Sequence, residues 1–279
     1  MTKGSALHLL HPKPGDLSKV TLDIIAVHGL NGHYMDSWTT KPTWGKKTIW
    51  LRDLLPEMFP QARIMTFEYN ASAIASASPH GIADNARALV QTLKNQREDN
   101  ARGRPIVFIG HSLGGLVIKK ALHISSTAKV DINPGEEGIK AISECTKGIV
   151  FFGTPHRGSD DAEWADIIGG IASATLMSPR SRLVKALKPN SADLMKLAES
   201  FRPLARNYAI ASFYEEHVLR PARHVIVDKE SVILGLPHEE TMMIGGTHTS
   251  MCKFVPDDIR FDAVWRAIRR VSRGRVSVE

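Results

Sequence analysis

The chain has 279 residues, an apolar share of 43% and a formal net charge of +7. That length fits one α/β domain with an insertion, or two small domains, and the apolar share supplies a globular core rather than a disordered or fibrous chain. Two cysteines exclude a disulfide framework, and no apolar run approaches the ~20 residues that a bilayer-spanning helix needs.

Cys145 and Cys252 point to a reducing compartment, and the N-terminus, with Lys3, His8 and His11, lacks the apolar stretch of a secretory signal. A soluble, cytoplasmic protein is the expectation, and a piece of a longer chain is compatible with the same features. The densest basic cluster, Arg266, Arg269, Arg270, Arg273 and Arg275, reads as a solvated helix face and tail. No nucleic-acid-binding motif accompanies it, so no nucleic-acid role is expected; attraction to anionic membrane surfaces stays open.

Ser5 to Leu10 reads as a short first strand, followed by a turn at His11-Pro12-Lys13-Pro14-Gly15-Asp16. Val20 to Val27 is a second strand. Its end, Ile24-Ile25-Ala26-Val27, is solidly apolar, as in a strand covered on both faces within a parallel sheet. His28-Gly29-Leu30-Asn31-Gly32-His33 follows as a glycine-bearing turn. Tyr34 to Lys47 is loop-like and holds Trp38 and Trp44, which either line a pocket or pack under the loop. Trp50 to Met58 reads as a short helix, Ala62 to Tyr69 as a strand and Asn70 to Pro79 as a loop. Ile82 to Gln96 reads as a helix with Ile82, Ala86, Leu89, Val90 and Leu93 on one stripe.

The next stretch carries the chemistry. Ile106 to Ile109 is a buried strand that runs straight into Gly110-His111-Ser112-Leu113-Gly114-Gly115 and then into a helical pattern reaching about Ser125. Strand, sharp turn and helix form the context of a G-x-S-x-G nucleophile elbow, whose strained serine needs small neighbours. Ser112 would then sit at a helix N-terminus, where unpaired N–H groups favour developing negative charge. A phosphate-binding loop is excluded, because no Lys-Ser/Thr follows where that motif requires it.

Beyond it, Thr127 to Gly138 is a polar loop and Thr146 to Phe152 another apolar strand, ending in Gly153-Thr154-Pro155-His156-Arg157-Gly158-Ser159. Residues 160–206 read as helical and irregular, either a cap over the site or an ordinary pair of packed helices. Asn207 to Tyr214 is a strand followed by Glu215-Glu216, and His224 to Val227 reads as the last strand, followed by Asp228-Lys229-Glu230-Ser231. A long loop leads to Gly245-Gly246-Thr247-His248, and Asp257 to Val271 is a closing helix with Phe261, Val264, Trp265 and Ile268 toward the sheet.

Strands alternating with helices predict an α/β fold: an α/β-hydrolase, its sheet mostly parallel and doubly wound, with one domain over 1–279 and a helical cap inserted at 160–206. Such sheets carry their sites at the C-terminal strand edge, and this fold orders its triad as nucleophile, acid, histidine. Ser112 is the candidate nucleophile and His248, on a glycine-bearing loop after the last strand, the candidate base. Glu215 occupies the expected slot of the acid, with Asp228 and Glu230 as rivals; Glu216, Glu239 and Glu240 read as solvated surface. The backbone N–H groups of Leu30 and Leu113 are the candidate oxyanion donors. His28, His111 and His156 flank the motif turns and are expected to line the site. No set of residues has metal-ligand spacing, and no cofactor is expected.

Taken together, Val27-His28-Gly29-Leu30-x-Gly32-His33, Gly110-His111-Ser112-Leu113-Gly114-Gly115, Phe152-Gly153-Thr154-Pro155-His156-x-Gly158-Ser159, Phe213-Tyr214-Glu215, Val227-Asp228-Lys229-Glu230-Ser231 and His248-x-x-x-Cys252-Lys253-Phe254 resemble the serine-active-site-containing, lipase-like α/β-hydrolases. These include the SesB-like N-terminal domains of fungal NLR-type receptors. One departure is Thr247, which precedes His248 where an acidic residue is expected. The resemblance implies esterase or lipase activity on a lipid or other ester. An alternative is a signalling or interaction domain of a longer receptor chain, with little or no turnover; thioesterase and amidase activity would use the same machinery.

Overall fold

The computed structural model describes residues 4–13, 17, 19–40, 46–71, 81–98, 101–157, 163, 166–167, 169–171, 191–217 and 226–275. Its strands are β1 (Ala6–His11), β2 (Leu22–Val27), β3 (Thr39–Thr40), β4 (Thr48–Ile49), β5 (Ala62–Glu68), β6 (Ile106–His111), β7 (Thr146–Phe152), β8 (Ala209–Glu215) and β9 (Glu239–Ile244). Seven of them form one sheet in the order β1-β5-β2-β6-β7-β8-β9, while β3 and β4 pair as a separate ribbon. Only β1 runs antiparallel; every other neighbour in the large sheet is parallel. This is the predicted α/β-hydrolase arrangement.

The described helices are α1 (Trp50–Asp53), α2 (Leu55–Met58), α3 (Gly81–Arg97), α4 (Leu113–Ser126), α5 (Glu137–Cys145), α6 (Ser191–Ala205), α7 (Lys229–Val232) and α8 (Ile259–Ser272). Side chains alternate across the strands, and each face builds its own core. Ile25, Val27, Phe67, Phe108 and Phe151 face one side with α3, α4 and α6. Ile24, Ala26, Val107, Ile109, Val150 and Phe152 face the other, against Trp50 and the Val264, Ala267, Ile268 and Val271 stripe of α8. Each fully buried Val, Ile or Phe side chain among them contributes about 1.5–3 kcal/mol of apolar transfer. Among the described residues no helix is long and apolar enough to cross a membrane.

One charge is folded into this apolar sheet. Asp23, on β2, is fully buried and gathers three guanidinium groups. Arg63 binds it bidentately at 2.8 and 2.8 Å, Arg104 reaches it at 3.2 Å, and Arg97 also donates to it. Taking away the carboxylate charge leaves three neighbouring cations with no anion at their centre. Asp23→Asn is therefore expected to destabilise the fold by about 3–5 kcal/mol, read as a drop in urea midpoint; an unchanged midpoint would refute it.

Several expected elements lie elsewhere. The last strand is β9, not 224–227: Val227 is buried but not in a strand, and 218–225 lie outside the described residues. Glu239 is no solvated surface residue either. It accepts from Ser212 Oγ at 2.6 Å and from the Leu234 and Gly235 N–H groups. The predicted helix at Trp50–Met58 is two single turns broken at Leu54, and the end of the expected polar loop 127–138 already belongs to α5, which continues to Cys145. Of the expected cap at 160–206, most lies outside the described residues; α6, within it, packs Leu194, Leu197 and Phe201 into the core.

Candidate active site

The β6–α4 junction holds Ser112 at φ 53°, ψ −130°, a left-handed conformation that side-chain-bearing residues seldom adopt. The surroundings enforce it. The Ser112 N–H donates to the Phe152 carbonyl at 2.8 Å, and Thr154 Oγ1 donates to the Ser112 carbonyl at 3.0 Å. The start of α4 lies so close to its neighbours that only glycine fits. A Cβ on Gly114 would lie 2.3 Å from the Val27 and His28 carbonyl oxygens, and one on Gly115 would lie 2.2 Å from Thr154 Oγ1.

His248 reaches this serine from the loop after β9, 136 residues away. Its Nε2 lies 2.9 Å from Ser112 Oγ, with both residues buried. On its other side Nδ1 faces Glu215 Oε1 at 3.5 Å, an ion-pair separation longer than a hydrogen bond. Glu215 stands at the C-terminal end of β8, and its Oε1 accepts from the Val227 N–H at 2.8 Å. His248 Nδ1 and Glu215 Oε2 form no hydrogen bond with any described residue.

The rival carboxylates are committed elsewhere. Asp228 caps α7, accepting from the Ser231 N–H at 2.8 Å and from Ser231 Oγ at 3.1 Å, and Glu230 is exposed. Leu30 and Leu113 are both buried, and the loop bearing Leu30 lies against the serine: a Cβ on Gly29 would be 2.7 Å from Ser112 Cβ. Trp38 packs edge-on to Trp50 in the core rather than lining a pocket, and Trp44 lies outside the described residues.

Three supporting contacts had no sequence signal. His111 Nε2 lies 2.7 Å from the His248 carbonyl and ties the two loops together. Tyr69 stacks on His28 and donates to its carbonyl at 2.5 Å, bracing the turn before Leu30. The Val227 N–H holds Glu215. His156 does not meet the serine in any described contact; it packs edge-on to Phe151, with both ring nitrogens unpartnered among the described residues. No three described His, Cys, Asp or Glu side chains converge as a metal would require.

Burial keeps three of these rings neutral. It lowers His28 to about 4 and His111 to about 3, and holds His156 well below the ordinary value. Below pH ~6.5 the unfolded chain takes up protons that the folded one refuses, so stability falls as pH falls. The loss is expected to begin near pH 6.5 and to continue to about pH 4, at up to about 1.4 kcal/mol per unit for each ring. Urea midpoints across that range test it; a flat or rising profile would overturn it. Lys119, pushed down by burial to about 7, adds the same sign on the alkaline side, up to its ordinary value of about 10.4.

Known proteins are similar to this chain in sequence or in fold. A family model described as "Putative serine esterase (DUF676)" matches residues 19–177, more than half of the chain. Protein SERAC1 of Homo sapiens and of Bos taurus are each 27% identical over 269 residues, covering 88% of this chain and 38% of their own length. The chain thus spans less than two fifths of these curated relatives. The crystal structure of Bacillus licheniformis lipase BlEst2 in mature form matches with a TM-score of 0.53 at 14% identity, over 95% of this chain and 97% of that one.

Proposed function

Since the chain belongs to the DUF676 family and folds as an α/β-hydrolase, we propose that it cleaves carboxylic esters through an acyl-enzyme, with Ser112, His248 and Glu215 as its triad. The observation that carries this reading is the 2.9 Å contact between His248 Nε2 and Ser112 Oγ, with the opposite ring nitrogen facing Glu215. A serine hydroxyl is a weak nucleophile until a base takes its proton. In the proposed reaction Ser112 Oγ attacks the carbonyl carbon as His248 Nε2 accepts the hydroxyl proton. Glu215 holds the Nδ1–H tautomer and stabilises the imidazolium. The N–H groups of Leu30 and Leu113 receive the oxyanion. Collapse of the tetrahedral intermediate breaks the ester C–O bond, and His248 returns its proton to the departing alcohol. Water, deprotonated by the same ring, then releases the acid and regenerates Ser112.

The 3.5 Å separation of Glu215 and His248 fits this scheme, because catalytic hydrogen bonds are often long without substrate. A lipid or another ester is the proposed substrate class, on the sequence resemblance. The scheme is tested by treating the protein with a fluorophosphonate probe and mapping the adduct. Modification of Ser112 together with hydrolysis of a short-chain p-nitrophenyl ester is expected. An unmodified protein would instead favour a partner-binding module within a longer chain, a reading supported by the span of only 38% of the curated relatives.

A further inference from the structure

The sheet has a second polar edge, at the N-terminal ends of its central strands, about 20 Å (one strand length) from Ser112. A cavity of about 820 Å³ opens there, where α4, α5, α6 and α8 end and β7 and β8 begin. Lys140, Lys147, Arg206, Arg273 and Arg275 line it, against a single carboxylate, Glu144. None of the five pairs with a carboxylate among the described residues. Elsewhere on the surface Arg52, Arg87, Arg102 and Arg270 each hold one, while Lys129 and Arg202 hold none among the described residues.

Two ordinary explanations account for only part of this charge. Helix C-termini attract cations, and each carries roughly half a negative charge. Four such ends offset about two of the five positive charges, and Arg275 is partly spent this way, donating to the Arg206 carbonyl. With Glu144 counted, about two positive charges remain without an offset. The other explanation, a solvated helix face, fits Arg266, which holds Asp262, and Arg269, which lies over Trp265 and Phe59. Arg273 and Arg275 are exposed as well, but they line the cavity.

The walls also supply a neutral donor. Tyr208 is 3% exposed, and its hydroxyl bonds no described residue. Burial pushes its pKa up to about 12, so it stays protonated and able to donate. The Lys147 stem lies against the turn at Gly274, whose φ of +73° lets the chain bend after α8; a Cβ there would lie 3.4 Å from Lys147 Cδ.

We propose that this cavity binds a small polyanion bearing at least two phosphoryl groups. Guanidinium forks match phosphate oxygens bidentately, and cations spread around a space of this size can hold separate phosphates. The ligand is either a free polyphosphorylated compound or a phosphorylated lipid headgroup.

The test is calorimetric titration of the full chain with inositol hexakisphosphate, beside flotation with phosphatidylcholine vesicles carrying phosphatidylinositol bisphosphate. One-to-one binding is expected, weakened at least about tenfold by Lys147→Glu with Arg273→Glu. It should be nearly unchanged by Arg266→Glu with Arg269→Glu, which alters net charge equally but outside the cavity. Flotation lost in the cavity pair would assign the headgroup; binding of the soluble compound alone would assign a free ligand. Three results would overturn the proposal: no binding of either, equal weakening by both pairs, or tighter binding of an oligonucleotide of equal charge. Binding is the readout, so the outcome is independent of ester hydrolysis.

Discussion

Ser112→Ala is expected to lower kcat/KM for a p-nitrophenyl ester by about 10⁴- to 10⁶-fold, or roughly 5–8 kcal/mol of transition-state stabilisation. Removing one hydroxyl leaves the oxyanion donors and any substrate pocket in place, so a small residual rate over water is expected. The substitution removes no core methylene, and Oγ has His248 Nε2 as its hydrogen-bond partner. That ring nitrogen loses its buried partner, so stability should fall by about 1–3 kcal/mol. Measured turnover within tenfold of the parent, in protein that still unfolds cooperatively, would end the case for a serine nucleophile here.

Glu215→Gln is expected to lower kcat by about 10²- to 10⁴-fold while sparing the fold. The amide oxygen can still accept from the Val227 N–H, so the local main chain stays anchored. What disappears is the negative charge opposite Nδ1. Asp228→Ala should do the reverse. It removes the cap of α7, costing about 1 kcal/mol of stability, and leaves kcat within about threefold. Steady-state kinetics and thermal melts on the two variants decide the matter, and a larger loss of turnover in Asp228→Ala would reassign the acid.

Where local sequence dictates local structure, the fold was readable. An apolar strand, a Gly-His-Ser-Leu-Gly turn and an apolar helix at 106–126 can scarcely pack otherwise, and Glu215 follows an equally apolar strand. The edge strand Glu239–Ile244 was unreadable for a physical reason. With one neighbour and a half-covered surface, its Glu-Glu-Thr-Met-Met-Ile shows no buried run. The apolar Ile226-Val227 imitates a strand because Val227 is a core residue beside Glu215, not because it pairs. Helix α5 starts at Glu137-Gly138, where a glycine after a polar stretch reads as the end of a loop. Partnerships across long separations leave no trace in one chain: Asp23 meets arginines 40, 74 and 81 positions later.

The lashing of Ser112 to Phe152 and Thr154 on one flank, with Gly114 seated on the carbonyls of Val27 and His28 on the other, has a practical corollary. The hydroxyl of the proposed nucleophile has no hinge of its own. In a denaturant series, catalytic competence and far-ultraviolet ellipticity should vanish along one sigmoid, with no inactive yet folded species between them. Any broadening of what the protein accepts would then have to come from the surrounding loops, since the bend itself tolerates no new atoms.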